Sequence, residues 1–201
     1  CPPFRSTCSV SFTPNQHRTA DQYVLDYAHS FGLDAVVFRM SCIYGPRQFG
    51  TEDQGWVAHF LIRALRGEPI TVYGDGKQVR DVLFVDDLVD ALLRARADVS
   101  RLSGSAFNVG GGPANTLSLV ELLGRIEELV RRPIDVRFED WRVADQRYYV
   151  SDVRALAHAT GWSPRTTVES GVARLFEWLA QQPEHRAPSS ARHGARGEAR
   201  P

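Results

Sequence analysis

Over residues 19–181 the chain alternates between segments with helical spacing and short runs of β-branched residues, and this alternation restricts it to an α/β architecture. Helical spacing appears first at Tyr23, Val24, Tyr27, Ala28 and Phe31, with Gly32 as the stop signal. Residues 35–40 (AVVFRM) then form an apolar run of the kind found in a strand buried inside a parallel sheet. The same grammar predicts helices over 55–65, 153–160 and 168–181, and strands over 70–73, 79–85, 106–109 and 134–138. Ser118 with Glu121 reads as a capping box opening a helix to about Arg131. Asp86 and Asp87 precede Leu88, Val89, Leu92 and Leu93, so they are expected to cap that helix rather than to act as an acid–base couple.

The 24 basic residues balance 24 acidic ones, which gives no support for nucleic acid or an anionic membrane as partner. No apolar run reaches the length of a membrane span. Cys1, Cys8 and Cys42 are odd in number and lack metal-ligand spacing, as do the six histidines, so no metal site is expected and a reducing cytoplasm is the natural compartment. No Gly-x-Gly-x-x-Gly follows a strand within the 201 residues. Gly110–Gly112 come nearest, but Pro113 and Asn115 intervene before the helix. A plain structural turn is expected there, not a phosphate cradle.

Three blocks carry chemistry. They are Phe38-Arg-Met-Ser-Cys-Ile-Tyr-Gly-Pro-Arg47, then Tyr73-Gly-Asp-Gly-Lys-Gln-Val-Arg-Asp-Val-Leu-Phe-Val-Asp-Asp-Leu88, and finally Trp141-Arg-Val-Ala-Asp-Gln-Arg147 with Tyr148-Tyr-Val-Ser-Asp152 and Gly161-Trp-Ser-Pro164 behind it. Arg80 and Arg142 can each fork two N–H donors onto phosphate oxygens. Asp145 can orient the Arg142 guanidinium or accept a ribose hydroxyl. The bland alternatives are a surface ion pair of Arg80 with Asp81, a solvated Arg142, and a Tyr44-Gly-Pro segment that only turns the chain.

In order and spacing the blocks resemble the extended short-chain dehydrogenase/reductases, in the NAD-dependent nucleotide-sugar epimerase/dehydratase branch. The first block and Thr51-Glu-Asp-Gln-Gly-Trp56 are most similar to the CDP-paratose 2-epimerase type. The resemblance runs from about Ala20 to Leu179 and implies the C-terminal portion of that fold, a partial Rossmann sheet plus a substrate-binding subdomain. It implies that Arg80 and Arg142 hold the diphosphate, that Thr71 and Tyr73 line the base pocket, and that Gln54 and Gly55 face the nucleotide. It places Cys42 beside the sugar and Ser41 beside the nicotinamide. A CDP-sugar or another nucleotide-diphosphate sugar is the implied ligand, and a homodimer the implied assembly of an intact member. Val143-Ala144 departs from the glycine-containing pair usual in the family.

Members carry a Tyr-x-x-x-Lys base on the helix before the first strand here, but the matching positions hold Thr13 and His17. Residues 1–18 are therefore expected to be a leader foreign to the fold, left by truncation or a frameshift. Residues 19–182 are expected to form the partial Rossmann half with its sugar-nucleotide subdomain, and 183–201 a disordered tail. The expected consequences are no catalytic residue, no NAD bound by this chain alone, and no activity alone. A non-enzymatic sugar-nucleotide-binding or dimerisation module, or a fragment of a 4-epimerase or dehydratase, are the alternatives.

Overall fold

The structure, a computed structural model, describes residues 14–143 and 145–185, with backbone only for residues 14–18. Helix α1 (Pro14–Phe31) starts at Pro14 rather than at Thr19. Periodicity is silent at residues 14–18, but proline suits the first helical turn, where its missing N–H would have had no partner. The rest of the expected leader, and the tail from residue 186, lie outside the described residues, as does Ala144 of the departure noted above.

Strand β1 (Val36–Met40) and β2 (Cys42–Tyr44) follow, then α2 (Trp56–Arg66), β3 (Ile70–Tyr73) and β4 (Val79–Phe84). Next come α3 (Val85–Ala97), α4 (Val99–Leu102), β5 (Ser105–Val109), β6 (Thr116–Ser118) and α5 (Leu119–Val130). The chain ends with β7 (Val136–Glu139), β8 (Tyr148–Tyr149), α6 (Arg154–Thr160) and α7 (Val168–Gln181). Strand β1 pairs in parallel with β5, and β3 with β7. Strand β4 is the hub: β2 and β8 run parallel to it and β6 antiparallel. The Ser118–Glu121 capping box is present as expected.

Two cores flank β4. One gathers Leu61, Ile70, Phe84, Leu122, Ile126 and Leu175 under α2, α5 and α7. The other packs Val36, Phe38, Leu83, Phe107, Leu156 and Trp162 between β1, β5, α3 and α6. Helix α3 meets this second core through Ala91 and Ala95, with Leu88 and Leu92 packed beside them, while Val89 and Leu93 face outward. Its N-cap is Phe84, with no side-chain cap, so Asp86 and Asp87 do not cap the helix. They lie inside its first turn and are drawn to other partners: Asp86 to Arg174, and Asp87 to the Thr166 amide at 2.8 Å. On α1, Tyr23, Tyr27 and Phe31 form an exposed stripe (64%, 51% and 68%).

After α7 a 3₁₀ turn, Pro183–His185, folds back onto α2. His185 is buried, its Nδ1 accepting from Arg66 Nη2 at 3.2 Å, its ring near Phe49 and its Nε2 without a partner. Burial, and after it the Arg66 charge, push its pKa below the usual histidine value, against a smaller opposing pull from Glu184. The folded state then binds this proton less readily than the unfolded chain. Its stabilisation is complete above about pH 6.5 and is lost as pH falls through that value toward the folded pKa. His185→Gln is expected to flatten the drop in urea midpoint between about pH 7 and about pH 5. An unchanged slope would assign the pH dependence to other groups.

Candidate functional site

Two cavities open side by side along the β2–α2 connection. The larger, 1140 Å³, is lined by Arg39, Ser41, Cys42 and Gln54 among others, and the smaller, 180 Å³, by Thr71, Tyr73, Arg80, Arg142 and Asp145. Asp53, Gly55 and Trp56 belong to both walls. The structure thus gathers the expected residues into one region, with Ser41, Cys42 and Gln54 on one side and the two arginines on the other.

Strand alternation sets the centre of the site. Arg80 points from β4 into the smaller cavity, while its neighbour Asp81 points inward and is fully buried. A surface pair between the two is therefore ruled out. Arg80 instead meets Asp145 at 2.8 Å. Of the two parts open to Asp145, orienting Arg142 is not the one it plays: its amide closes a turn onto the Arg142 carbonyl, and its carboxylate turns to Arg80 and, at 3.4 Å, to Gln78. Arg142 reaches across to the acidic loop before α2, at 3.3 Å from Glu52 and 3.6 Å from Asp53, with its guanidinium 4.1 Å from the centre of the Tyr73 ring.

Tyr73 donates its phenolic hydrogen to Glu52 Oε1. That bond, helped by the Arg142 charge, holds the Glu52 carboxyl below its usual range; it also raises the Tyr73 phenol, against an opposing pull from Arg142. Both groups keep their ordinary neutral-pH forms, carboxylate and phenol. His59, also on this wall, is pushed down by burial first and by Arg63 second. In the sequence Glu52 and Asp53 stand out only as members of the Thr51–Trp56 segment. Their pairing with Arg142, 90 residues away along the chain for Glu52, leaves no local signal.

Gly55 has φ 73° at the start of α2, in the left-handed region that glycine enters without strain, and this lets the loop turn back between the two cavities. Cys42 has its thiol pushed up by burial, opposed by a hydrogen bond with the Trp56 side chain, so it is a wall group and not a thiolate nucleophile. Ser41 donates its hydroxyl hydrogen to Asp81, at 2.5 Å from Oδ1 and 2.7 Å from the carbonyl oxygen, and its oxygen can therefore only accept from a ligand. Tyr44 is buried against Phe84, edge to face at 5.6 Å, which agrees with a structural part for that segment.

The Gly110–Gly112 turn does not fit the pyrophosphate of NAD. The Gly112 amide donates to Asp81 Oδ2 at 3.1 Å, and a Cβ on Gly111 would run into the Val82 carbonyl oxygen. A 3₁₀ turn, Pro113–Asn115, and strand β6 follow, so no helix N-terminus faces outward there. Gly110 and Gly111 approach β4 too closely for a side chain, Gly112 takes a left-handed φ of 65°, and the segment is a structural turn.

Comparison with known proteins agrees with this architecture. Residues 15–110 match the model of the NAD dependent epimerase/dehydratase family. The chain is 45% identical over 168 residues to the CDP-paratose 2-epimerase of Salmonella typhi, covering 80% of this chain and 49% of that protein. In structure it is similar to the UDP-glucose 4-epimerase of Thermotoga maritima with UDP-glucose, at a TM-score of 0.73 and 30% identity over 81% of this chain and 51% of that one. The dTDP-glucose 4,6-dehydratase of Bacillus anthracis in complex with NAD gives a TM-score of 0.74 at 25% identity, covering 88% and 55% of the respective chains. The chain spans about half the length of the curated relatives it matches. Its motif blocks, its parallel α/β sheets and these likenesses together place the chain in the NAD dependent epimerase/dehydratase family, with the partial Rossmann-like fold of the extended short-chain dehydrogenase/reductases.

Proposed function

We propose that this chain is the nucleotide-sugar-holding part of a 2-epimerase acting on a CDP-sugar. The observation that carries this reading is the convergence of Arg80 and Arg142 with Thr71 and Tyr73 on one small cavity that shares a wall with a much larger one. Two guanidinium forks suit a diphosphate, Thr71 and Tyr73 suit the flanks of a base, and Asp145 can accept a ribose hydroxyl. The larger cavity, with the Ser41 oxygen as acceptor and the protonated Cys42 as wall, is left for the sugar. Epimerisation of this kind removes a hydride from a sugar carbon and returns it from the other face, and NAD is the carrier in that chemistry. The described residues offer no pyrophosphate cradle, so no hydride step is assigned to them.

Positions 13 and 17 hold Thr13 and His17 where the family has its Tyr and Lys, so the chain is expected to bind without turning over. Titration calorimetry with a CDP-sugar should show saturable binding, and NMR of the same mixture with added NAD should show no new epimer. An epimer made by this chain would overturn the inactive reading; no binding would overturn the nucleotide-sugar reading itself.

The exposed Tyr23, Tyr27 and Phe31 stripe favours a second reading, in which the chain also serves as an association module. Sedimentation of the protein, with and without Tyr27→Asp, checks it. No described helix is long and apolar enough to cross a membrane, and the proposed place of work is the cytoplasm.

A further inference from the structure

The smaller cavity carries more information than its arginines. Glu52 stands at its rim beside Tyr73, and only one of its two carboxylate oxygens is engaged: Oε1 takes the Tyr73 hydroxyl and the Arg142 Nη2 hydrogen. No hydrogen bond among the described residues reaches Oε2. The Tyr73 hydroxyl is committed to Glu52, and the Gln78 amide nitrogen serves the Tyr73 carbonyl at 2.7 Å and Asp145. Arg142 gives Nη2 to Glu52, and its remaining N–H groups are left for the diphosphate. A ligand edge arriving beside Tyr73 therefore meets the open Oε2 acceptor and no open donor from Tyr73 or Gln78.

Pyrimidine bases differ at that edge. Cytosine presents an exocyclic amine, a donor that a carboxylate accepts well, whereas uracil and thymine present a carbonyl oxygen whose lone pairs would face those of the carboxylate. We infer that Glu52 is the specificity-determining residue of this site, selecting a cytosine nucleotide over a uracil or thymine nucleotide by accepting the base amine at Oε2. The inference rests on the nucleotide-sugar reading above and adds to it which side chain reads the base. The Tyr73 bond holds the carboxyl ionised well below neutral pH, so the acceptor is present throughout the working range.

The experiment titrates CDP, UDP and dTDP into the unmodified protein, the Glu52→Gln variant and the Asp53→Asn variant. Glutamine keeps the shape, but its amide can turn a donor toward a carbonyl as readily as an acceptor toward an amine. CDP is expected to bind about tenfold more tightly than UDP or dTDP, consistent with one good directional contact, and Glu52→Gln should cut that ratio to about threefold or less. Asp53→Asn, which touches Arg142 but not the base edge, should leave the ratio alone. Equal binding of CDP and UDP by the unmodified protein would overturn the inference and leave the nucleotide site standing. So would a uniform rise in all three affinities in Glu52→Gln, which would make the carboxylate a mere competitor of the diphosphate for Arg142. If none of the three nucleotides binds, the underlying reading fails and the inference fails with it.

Discussion

Replacing Asp81 by alanine is expected to lower the unfolding free energy by about 3 kcal/mol, a loss typical of breaking a buried polar network. Asp81 is fully buried on β4 and accepts from two separate segments, the Ser41 hydroxyl ahead of β2 and the Gly112 amide after β5. Alanine would strand the Gly112 N–H in the interior and leave Ser41 only the residue 81 carbonyl. Asparagine is a sharper test. It keeps the volume, but its amide can satisfy the Ser41 donor and the Gly112 donor only by giving both the same oxygen. Urea denaturation gives the free energy, and the slope of the curve shows whether the compact state itself has changed. A loss below about 0.5 kcal/mol, the ordinary range for a surface substitution, would mean the network contributes little.

Arg80→Ala should weaken binding of a nucleotide diphosphate about 30-fold, the effect of removing one charge-assisted fork. The residue is mostly enclosed and is held by Asp145, so its guanidinium is already oriented before a ligand arrives. Arg80→Lys is expected to recover only a small part of the loss, because an ammonium restores the charge but not the planar pair of donors. Full recovery by lysine would show that charge alone matters there. Arg142→Ala should cost less, since Arg142 is more exposed and must first leave Glu52 and Asp53.

The long elements were readable because their apolar residues repeat often enough to declare a period. Strand β1, helix α5 with its capping box, and α7 are examples. Strands β2, β6 and β8 were not, since two or three residues cannot show alternation and their pairing depends on β4 being near. The buried face of α3 was half legible: Leu88 and Leu92 pack on the core as their spacing suggests, while Val89 and Leu93 face outward and the small Ala91 and Ala95 complete the contact. In the candidate site, Arg80 and Arg142 stood out because arginine in a motif suggests an anion. Their partners did not. Asp145 lies near Arg142 in sequence yet pairs with Arg80, and Glu52 and Asp53 come from a loop whose meaning is set only by the turn at Gly55.

The partition formed by Asp53, Gly55 and Trp56 bears on how a substrate would be captured. If the nucleotide docks on one side of so thin a divider, its sugar is delivered to the other side by a tether of only a few bonds. A tether of that length raises the local concentration of the sugar so far that the second encounter needs little affinity of its own, and the gain over either half alone can reach about 10²–10⁴. The sugar chamber can then remain roomy and weakly gripping, free to let a ring turn over, while the nucleotide serves as the handle by which it is held.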